Sequence, residues 1–119
     1  MICDYYFTST NALTQNGELY NMDNNGNRVA AMIYGPEHVM VITGENKIVK
    51  DVEEARRRLY SIAGPANSMR LHMDNPCVKT GECVHCHSKN KLCNIECIMG
   101  YQKVKSRIKV IISKEDLGF

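Results

Sequence analysis

Cysteines are concentrated between positions 77 and 97, with the spacing C-x5-C-x2-C-x6-C-x3-C. A C-x2-C pair can place two thiolates on one metal ion, and tetrahedral zinc then needs two more nitrogen or sulfur ligands. A [4Fe–4S] cluster also takes four thiolates, although its compact C-x2-C-x2-C core is absent here. The segment therefore predicts a metal site, with zinc as the first candidate and an iron–sulfur cluster as the second.

Disulfides and free thiols are the alternatives to a metal in this segment. The start, Met1-Ile2-Cys3-Asp4, reaches an acidic residue at once, which is not typical of a secretory signal peptide. No apolar run approaches the roughly eighteen residues of a membrane span. We therefore expect a cytoplasmic protein with reduced thiols, which disfavours disulfides and leaves free or redox-labile cysteines as the open alternative. His85 and His87 are expected to face solvent.

A second polar cluster runs from Asn21 to Arg28. An EF-hand loop is excluded because the position that must be glycine is occupied by Arg28. Free backbone amides at a helix start, together with this guanidinium, would attract a phosphate or carboxylate. The alternative is a capped loop with a solvated arginine, since asparagines are common in turns. The cluster is thus a candidate site for a small anionic ligand.

Composition limits the classes of protein that remain. The chain has 119 residues, 44% of them hydrophobic and 24% charged, as in an ordinary single globular domain. Its net charge of +2 is too small to indicate nucleic-acid binding. Basic residues alternate with smaller or apolar ones over 103–110, which predicts a solvated strand face that discourages edge pairing. Nucleic acid is therefore not an expected partner.

Periodicity and turn residues predict alternating strands and helices. In chain order they are a strand at 5–8, a hairpin turning at Asn16-Gly17, a helix over 28–34, a strand over 39–43, a helix from Asp51 that Gly64-Pro65 either ends or kinks, with 67–71 as its continuation in the second case, and a strand over 107–113. This order favours an α/β fold with a largely parallel sheet. The sheet is thin for such a fold, so a missing segment or a partner, including a second copy of the chain, is expected to complete it.

Several local details of these elements are also predicted. Asn16-Gly17 is expected to form a type I′ turn, in which both residues have positive φ. Asn25 or Asn27 is expected to cap the first helix, and the apolar run at 39–43 is expected to be covered on both faces. In the second helix we expect Val52, Ala55, Leu59, Ile62 and Ala63 to face the core and Arg56, Arg57 and Arg58 to face solvent.

Short motifs along nearly the whole chain form a specific combination. They are 6–14, 16–19, 26–30, 34–36, 46–49, 63–67, Pro76-Cys77, 79–81, Cys83-x2-Cys86, Cys93-Asn94 and 115–119. Together they resemble the LUD (lactate utilisation) domain family. The resemblance implies a NagB/RpiA/CoA-transferase-like α/β fold with flanking helices, in which residues 1–119 match the C-terminal portion of the domain and carry a cysteine-rich loop over 76–97. The family's N-terminal part has no counterpart in the chain.

The resemblance also implies a function, namely an accessory or ligand-binding component of lactate oxidation to pyruvate. Iron–sulfur oxidoreductase subunits are the implied partners. A CoA- or acyl-transfer enzyme and a small metal-stapled binding module are the alternatives, so whether the chain is an enzyme is left open. Glu18, Glu37 and Glu45 are candidate carboxylates because transferases of this fold can use a glutamate, but no catalytic residue is assigned.

Two sets of site residues are predicted, the first from the same resemblance and the second mainly from the polar cluster between Asn21 and Arg28. The implied metal ligands are Cys77, Cys83, Cys86 and Cys93, which match the family pattern, whereas Cys97 is left without a role. The predicted ligand-binding residues are Asn11, Asn21, Asp23, Gly26, Asn27 and Arg28.

Overall fold

A computed structural model describes residues 4–72 and 93–118 of the chain. Its strands are β1 (Tyr5–Thr8), β2 (Ala12–Thr14), β3 (Leu19–Asp23), β4 (His38–Gly44), β5 (Ile48–Val49), β6 (Ile95–Met99) and β7 (Ile108–Ser113). Its α-helices are α1 (Asn27–Ile33), α2 (Val52–Arg58) and α3 (Gly64–Arg70). A 3₁₀ turn, Glu45–Lys47, leads into β5, and a π-helical turn, Leu59–Ala63, joins α2 to α3. The predicted strands and first helix are confirmed to within a residue or two of their ends.

The strands form two sheets. One is parallel throughout, in the order β1-β4-β7, with Val39 of β4 in register with Tyr6 of β1 and Ile108 of β7. The other is mixed, in the order β5-β2-β3-β6, with a parallel β5–β2 pair and two antiparallel pairs. The α/β class with mostly parallel pairing is confirmed.

The mixed sheet has an apolar cluster on each face. On one face, Ala12 and Tyr20 pack with Ala55 of α2 and with Leu59 and Ala63 of the π-helical turn. On the opposite face, Leu13 and Leu19 pack with Met32 of α1 and the valines of β4. The mixed sheet is therefore the central layer. On one side lies the helical segment of α2 and the π-helical turn, and on the other lie α1 and the parallel sheet.

The parallel sheet is covered on one face and open on the other. In β4, Val39 and Val41 are fully buried, whereas Ile42, which points the opposite way, is 39% exposed. Phe7 of β1 is 64% exposed and Ile111 of β7 is 46% exposed, in register with residues of the same outer face. The prediction that β4 is covered on both faces is wrong, because nothing in the described residues packs on its outer side.

The hairpin between β2 and β3 is confirmed, but its predicted turn type is wrong. Gly17 has φ 89° and donates its N–H to the Thr14 carbonyl at 2.9 Å, whereas Asn16 does not have positive φ. A turn followed by one left-handed glycine is the usual three-residue hairpin connection. The longer loop removes the requirement for positive φ at Asn16.

Helix α1 is capped by the side chain of Asp23, which precedes both predicted caps. The N-cap position is Gly26, with φ 82° and no side-chain cap hydrogen bond. The Oδ2 atom of Asp23 instead accepts a hydrogen bond from the Val29 N–H at 2.8 Å. The prediction of Asn25 or Asn27 as the cap is therefore wrong, because the chain turns back so that the end of β3 satisfies the helix start.

The second helix continues past Gly64-Pro65, as the second of the two predicted alternatives has it, and it contains a π-helical turn. Asp51 caps it, accepting the Glu54 N–H at 2.9 Å. It does not end at Gly64-Pro65, because the wider π-helical turn accommodates a proline that has no N–H to donate. This turn shifts the helical phase, so Ile62 is 53% exposed and its predicted place in the core is wrong.

Two features of the C-terminal half were not predicted. Residues 95–97, placed in the cysteine-rich loop, belong to β6, which pairs antiparallel with β3. Arg107, predicted to be solvated, is half-buried and donates to the carbonyls of Met32 at 2.6 Å, Pro36 at 3.1 Å and Ala31 at 3.3 Å. It thereby satisfies carbonyls at the C-terminal end of α1, which have no partners within the helix.

Candidate functional site

A cavity of about 590 Å³ lies beside the end of β3 and the start of α1. Its polar lining includes Asn11, Asp23, Asn24, Asn27, Arg28 and Lys47. Its apolar lining includes Leu59 and Ala63, which begin and end the π-helical turn. Single π-helical turns occur frequently at functional sites. The cavity therefore combines charged groups with an irregular helix segment, as binding sites often do.

Arg28 is held in place by a network around Asp23 and Asn11. Its Nε atom donates to Asp23 Oδ1 at 2.9 Å, and its Nη2 atom lies 2.8 Å from the same oxygen. Nη2 also donates to Asn11 Oδ1 at 2.9 Å. Asn11 Oδ1 in turn accepts the Met22 N–H at 2.8 Å. The guanidinium is thus oriented by the end of β3 and by Asn11 before any ligand arrives.

Lys47 is the least expected residue of the site. It is 7% exposed, and its Nζ atom donates to Ser9 Oγ at 3.1 Å. No carboxylate of the described residues forms an ion pair with it. Burial, followed by the positive charges of Arg58 and Arg28, lowers the pKa of its amine.

Arg58 is a further cation near the cavity. The prediction that it faces solvent is wrong, because it is half-buried. Its Nε atom donates to the Asn46 carbonyl at 3.1 Å and its Nη1 atom to the Asn11 carbonyl at 3.3 Å. Burial lowers the pKa of this guanidinium, which nevertheless stays protonated because arginine is not deprotonated in proteins. Arg58 therefore contributes a permanent positive charge behind the cavity wall.

Positive charge dominates the described lining of the cavity. Arg28, Lys47 and Arg70 line it, whereas Asp23 is the sole carboxylate among the described lining residues. Because the Asp23 charge is neutralised by Arg28 at hydrogen-bond distance, a positive field remains. Guanidinium and ammonium groups in a partly enclosed space favour a carboxylate or a phosphate. The arrangement is suited to binding a small anion.

The structure brings together four of the six predicted ligand-binding residues. Asn11, Asp23, Asn27 and Arg28 line the cavity, whereas Asn21 and Gly26 do not. Asn21 is fully buried, and neither its Oδ1 nor its Nδ2 atom has a hydrogen-bond partner within the described part of the chain. The ligand-binding role of all six stays a prediction.

Lys47 is the functional candidate that the sequence did not reveal. A single lysine after a glutamate and an asparagine resembles any surface turn, and its place in the motif at 46–49 was the one available signal. By contrast, none of the candidate glutamates Glu18, Glu37 and Glu45 lines this cavity.

The predicted metal site falls mainly outside the described residues. Cys77, Cys83 and Cys86, together with His85 and His87, lie in the part of the chain that the structure does not describe. Cys93 is half-buried and lines the anion cavity, and Cys97 is half-buried on β6. Burial, followed by the charge of Asp23, raises the pKa of the Cys97 thiol. Over residues 4–72 and 93–118, no three His, Cys, Asp or Glu side chains cluster as metal ligands would.

Comparison with known proteins identifies the family. The model of the LUD domain matches residues 1–113. The chain belongs to the LUD domain family. This confirms the resemblance carried by the motifs, and the LUD family is linked to lactate utilisation. Neither the curated proteins nor the solved structures compared with the chain gave a match.

Within residues 4–72 and 93–118, none of the helices is both long and apolar enough to cross a bilayer.

Proposed function

We propose that this LUD-domain protein is a ligand-binding component of lactate utilisation and that the cavity at Arg28 and Lys47 binds its small anionic ligand. The observation that carries the proposal is the Lys47 amine, which is buried and has no carboxylate partner among the described residues. A buried cation without a counterion is costly. A bound anion would supply the missing charge.

The chemistry of the cavity favours a small carboxylate, such as the hydroxy acid and the oxo acid of lactate oxidation. Arg28 presents a guanidinium that is already oriented by Asp23 and Asn11, so little side-chain freedom is lost on binding. A volume of about 590 Å³ lies within the usual range for small-molecule sites. Phosphate would use the same cations and serves as the competing anion in the test.

Isothermal titration calorimetry of the full chain with lactate, pyruvate and phosphate tests this proposal. We expect binding of at least one carboxylate, weakened about tenfold or more in Lys47→Met, as a loss of about 1.4 kcal/mol requires. Lys50→Met is the matched control, because Lys50 lies three residues away and is exposed. Absence of heat with all three anions, or equal binding by Lys47→Met, would contradict the proposal.

The cellular role has a separate test. Deletion of the gene is expected to abolish lactate-dependent electron transfer, and growth on lactate should be restored by the wild-type chain. We also propose iron–sulfur oxidoreductase subunits as the partners, to be sought by co-purification from lactate-grown cells. Unchanged growth of the deletion strain on lactate would count against the role.

The cysteine segment is proposed to hold a structural metal, zinc before an iron–sulfur cluster, through Cys77, Cys83, Cys86 and Cys93. Thiolates in a polar segment that cannot form a core are suited to a metal that supplies ordering energy. Metal analysis and a visible spectrum of anaerobically purified protein separate zinc, iron and no metal. A Cys83→Ser variant with full metal content would refute the ligand set.

A transferase that uses a glutamate nucleophile is not favoured by the geometry. Among the lining residues that the structure describes, Asp23 is the sole carboxylate, and both of its oxygens already accept hydrogen bonds from Arg28 and Val29. A carboxylate engaged in this way is a weak nucleophile.

A further inference from the structure

Lys47 has the surroundings of a reactive amine as well as those of an anion-binding cation. Its side chain lines the cavity, and among the described residues its Nζ atom has one hydrogen-bond partner, the Ser9 hydroxyl, at 3.1 Å. Gly118 packs so closely that a Cβ atom there would lie 3.1 Å from Nζ. The amine is therefore fixed at the cavity wall by Ser9 on one side and by the chain near Gly118 on the other.

The charges around Lys47 favour the neutral, nucleophilic form of the amine. Among the described residues, the guanidiniums of Arg58 and Arg28 are the charged groups that act on the amine, and both lower its pKa, as burial does. Asp23, the carboxylate of the cavity, is engaged by Arg28 and forms no ion pair with Lys47. Placing a lysine in a desolvated site beside other cations is a known way of activating it for reaction with carbonyl groups.

Arg28 and Lys47 converge on the same residue, Ser9. Arg28 Nη1 donates to the Ser9 carbonyl at 3.4 Å, and Lys47 Nζ donates to the Ser9 hydroxyl at 3.1 Å. The guanidinium and the amine are therefore close neighbours at one end of the cavity. In a 2-oxo acid the carboxylate is bonded directly to the carbonyl carbon. A ligand held by its carboxylate at Arg28 would thus present its carbonyl carbon to the lysine.

We infer that Lys47 forms a reversible imine with a 2-oxo acid bound in this cavity. The inference rests on the proposed function, since it assigns a ligand class and a chemical step to the same site. A 2-hydroxy acid such as lactate has no carbonyl group, so it would bind at Arg28 without reacting. The site would then distinguish the oxidised acid from the reduced one by a covalent bond.

The step is balanced without any further reactant. The nitrogen lone pair attacks the carbonyl carbon, and the electrons of the C–O π bond move to the oxygen, which takes one proton from the nitrogen. The remaining C–O bond of this carbinolamine then breaks, and the oxygen leaves as water with the second amine proton. A C=N bond replaces the C=O bond, and water reverses the reaction.

Reductive trapping of the full chain with pyruvate and sodium cyanoborohydride tests the inference. We expect intact-mass analysis to show one adduct, equal to one pyruvic acid less one oxygen atom, and peptide mapping to place it on Lys47. At neutral pH, labelling of Lys47 should exceed that of the exposed Lys50 by about tenfold for each unit by which its pKa is the lower. Lactate added in excess should protect Lys47 by occupying the same cations.

Variants and calorimetry separate this inference from the function on which it rests. Lys47→Arg keeps the positive charge and should still bind lactate but give no adduct, whereas Lys50→Met should give the wild-type adduct. Lactate and pyruvate binding with no adduct, or equal labelling of all lysines, would overturn the imine and leave anion binding intact. Absence of both binding and adduct would overturn both.

Discussion

The two sheets of this protein are covered to different extents, and the candidate site lies with the better covered one. The mixed sheet β5-β2-β3-β6 has apolar clusters on both faces, and the cavity lies at the end of its strand β3. The parallel sheet β1-β4-β7 leaves one face open, with Phe7 and Ile111 exposed. Lys47, in the 3₁₀ turn that leads into β5 of the mixed sheet, is 7% exposed. Beside the open sheet lies a second cavity of about 840 Å³, lined by Lys103, Lys105 and Lys109 among others, but these three lysines are exposed.

The open face of the parallel sheet bears on the expectation that a partner or a missing segment completes the sheet. Parallel sheets of α/β proteins are normally covered on both faces. Within the described residues, the outer face of β1, β4 and β7 has no such cover, and Tyr5 on this face stacks on His38 with ring centroids 4.6 Å apart. The partner or missing segment stays a prediction, and this is the face to which it applies.

The contrast between the two sheets predicts very different losses of stability when an aromatic residue of each is changed to alanine. Tyr20→Ala, at a fully buried position of the mixed sheet, should lower the free energy of unfolding by about 3–5 kcal/mol. Phe7, 64% exposed on the parallel sheet, should cost no more than about 0.5 kcal/mol for the same change. Urea unfolding of both variants measures the difference.

A milder variant separates packing from hydrogen bonding at Tyr20. Its hydroxyl donates to Glu96 Oε2 at 2.7 Å, and Glu96 also accepts from Arg56 at 2.7 and 3.0 Å. Tyr20→Phe should therefore cost about 1 kcal/mol, since Glu96 keeps its other donor. Equal losses for Tyr20→Ala and Phe7→Ala would remove the contrast between the two sheets.

A smaller loss of stability is expected when the contact between Arg107 and the end of α1 is removed. Arg107→Met removes the donor to the Met32, Pro36 and Ala31 carbonyls and should cost about 1–3 kcal/mol, as for a charged hydrogen bond. Lys109→Met is the control, because Lys109 is an exposed residue of β7. A thermal melt that gave both variants the same midpoint would show that Arg107 does not support the helix end.

The smallest effect concerns the pH dependence that Lys47 contributes. Since its folded-state pKa lies below the ordinary value of 10.5, the folded chain binds fewer protons than the unfolded one between these two values. Stability from this group therefore rises with pH across that window. Lys47→Met should remove this rise while leaving stability at neutral pH equal or higher, and the change should be smaller than for Arg107→Met. Urea midpoints at several pH values test this, and an unchanged pH slope would contradict it.

The fold was predictable from sequence where a pattern was local. The aromatic run at 5–8, the glycine turn after β2 and the apolar run in β4 each specify an element from neighbouring residues. Strand β5, with two residues, and β6, inside a polar segment, form because other strands offer them backbone partners. Long-range pairing of this kind leaves little trace in the strand itself.

The candidate site also has a part that the sequence predicted and a part that it did not. Arg28 could be found because it follows a turn-rich segment at a helix start, where anion binding is expected. Lys47 could not, because its burial depends on Ser9, Arg58 and Gly118, which come from distant parts of the chain. The exposure of Ile62 was missed for a related reason, since a π-helical turn changes the phase on which the helical pattern relies.

The position of β7 beside β4 has a consequence for the order in which the chain folds. Strand β4 is the centre of its sheet, yet one of its two neighbours is β7, which is synthesised some seventy residues later. Arg107, the residue just before β7, donates to the Met32 carbonyl at the end of α1 across 75 residues. Contacts of such high sequence separation form slowly. During synthesis, β1, β4 and α1 are therefore complete before β7, and one edge of β4 stays unpaired. That edge is where a nascent chain would be most exposed to aggregation.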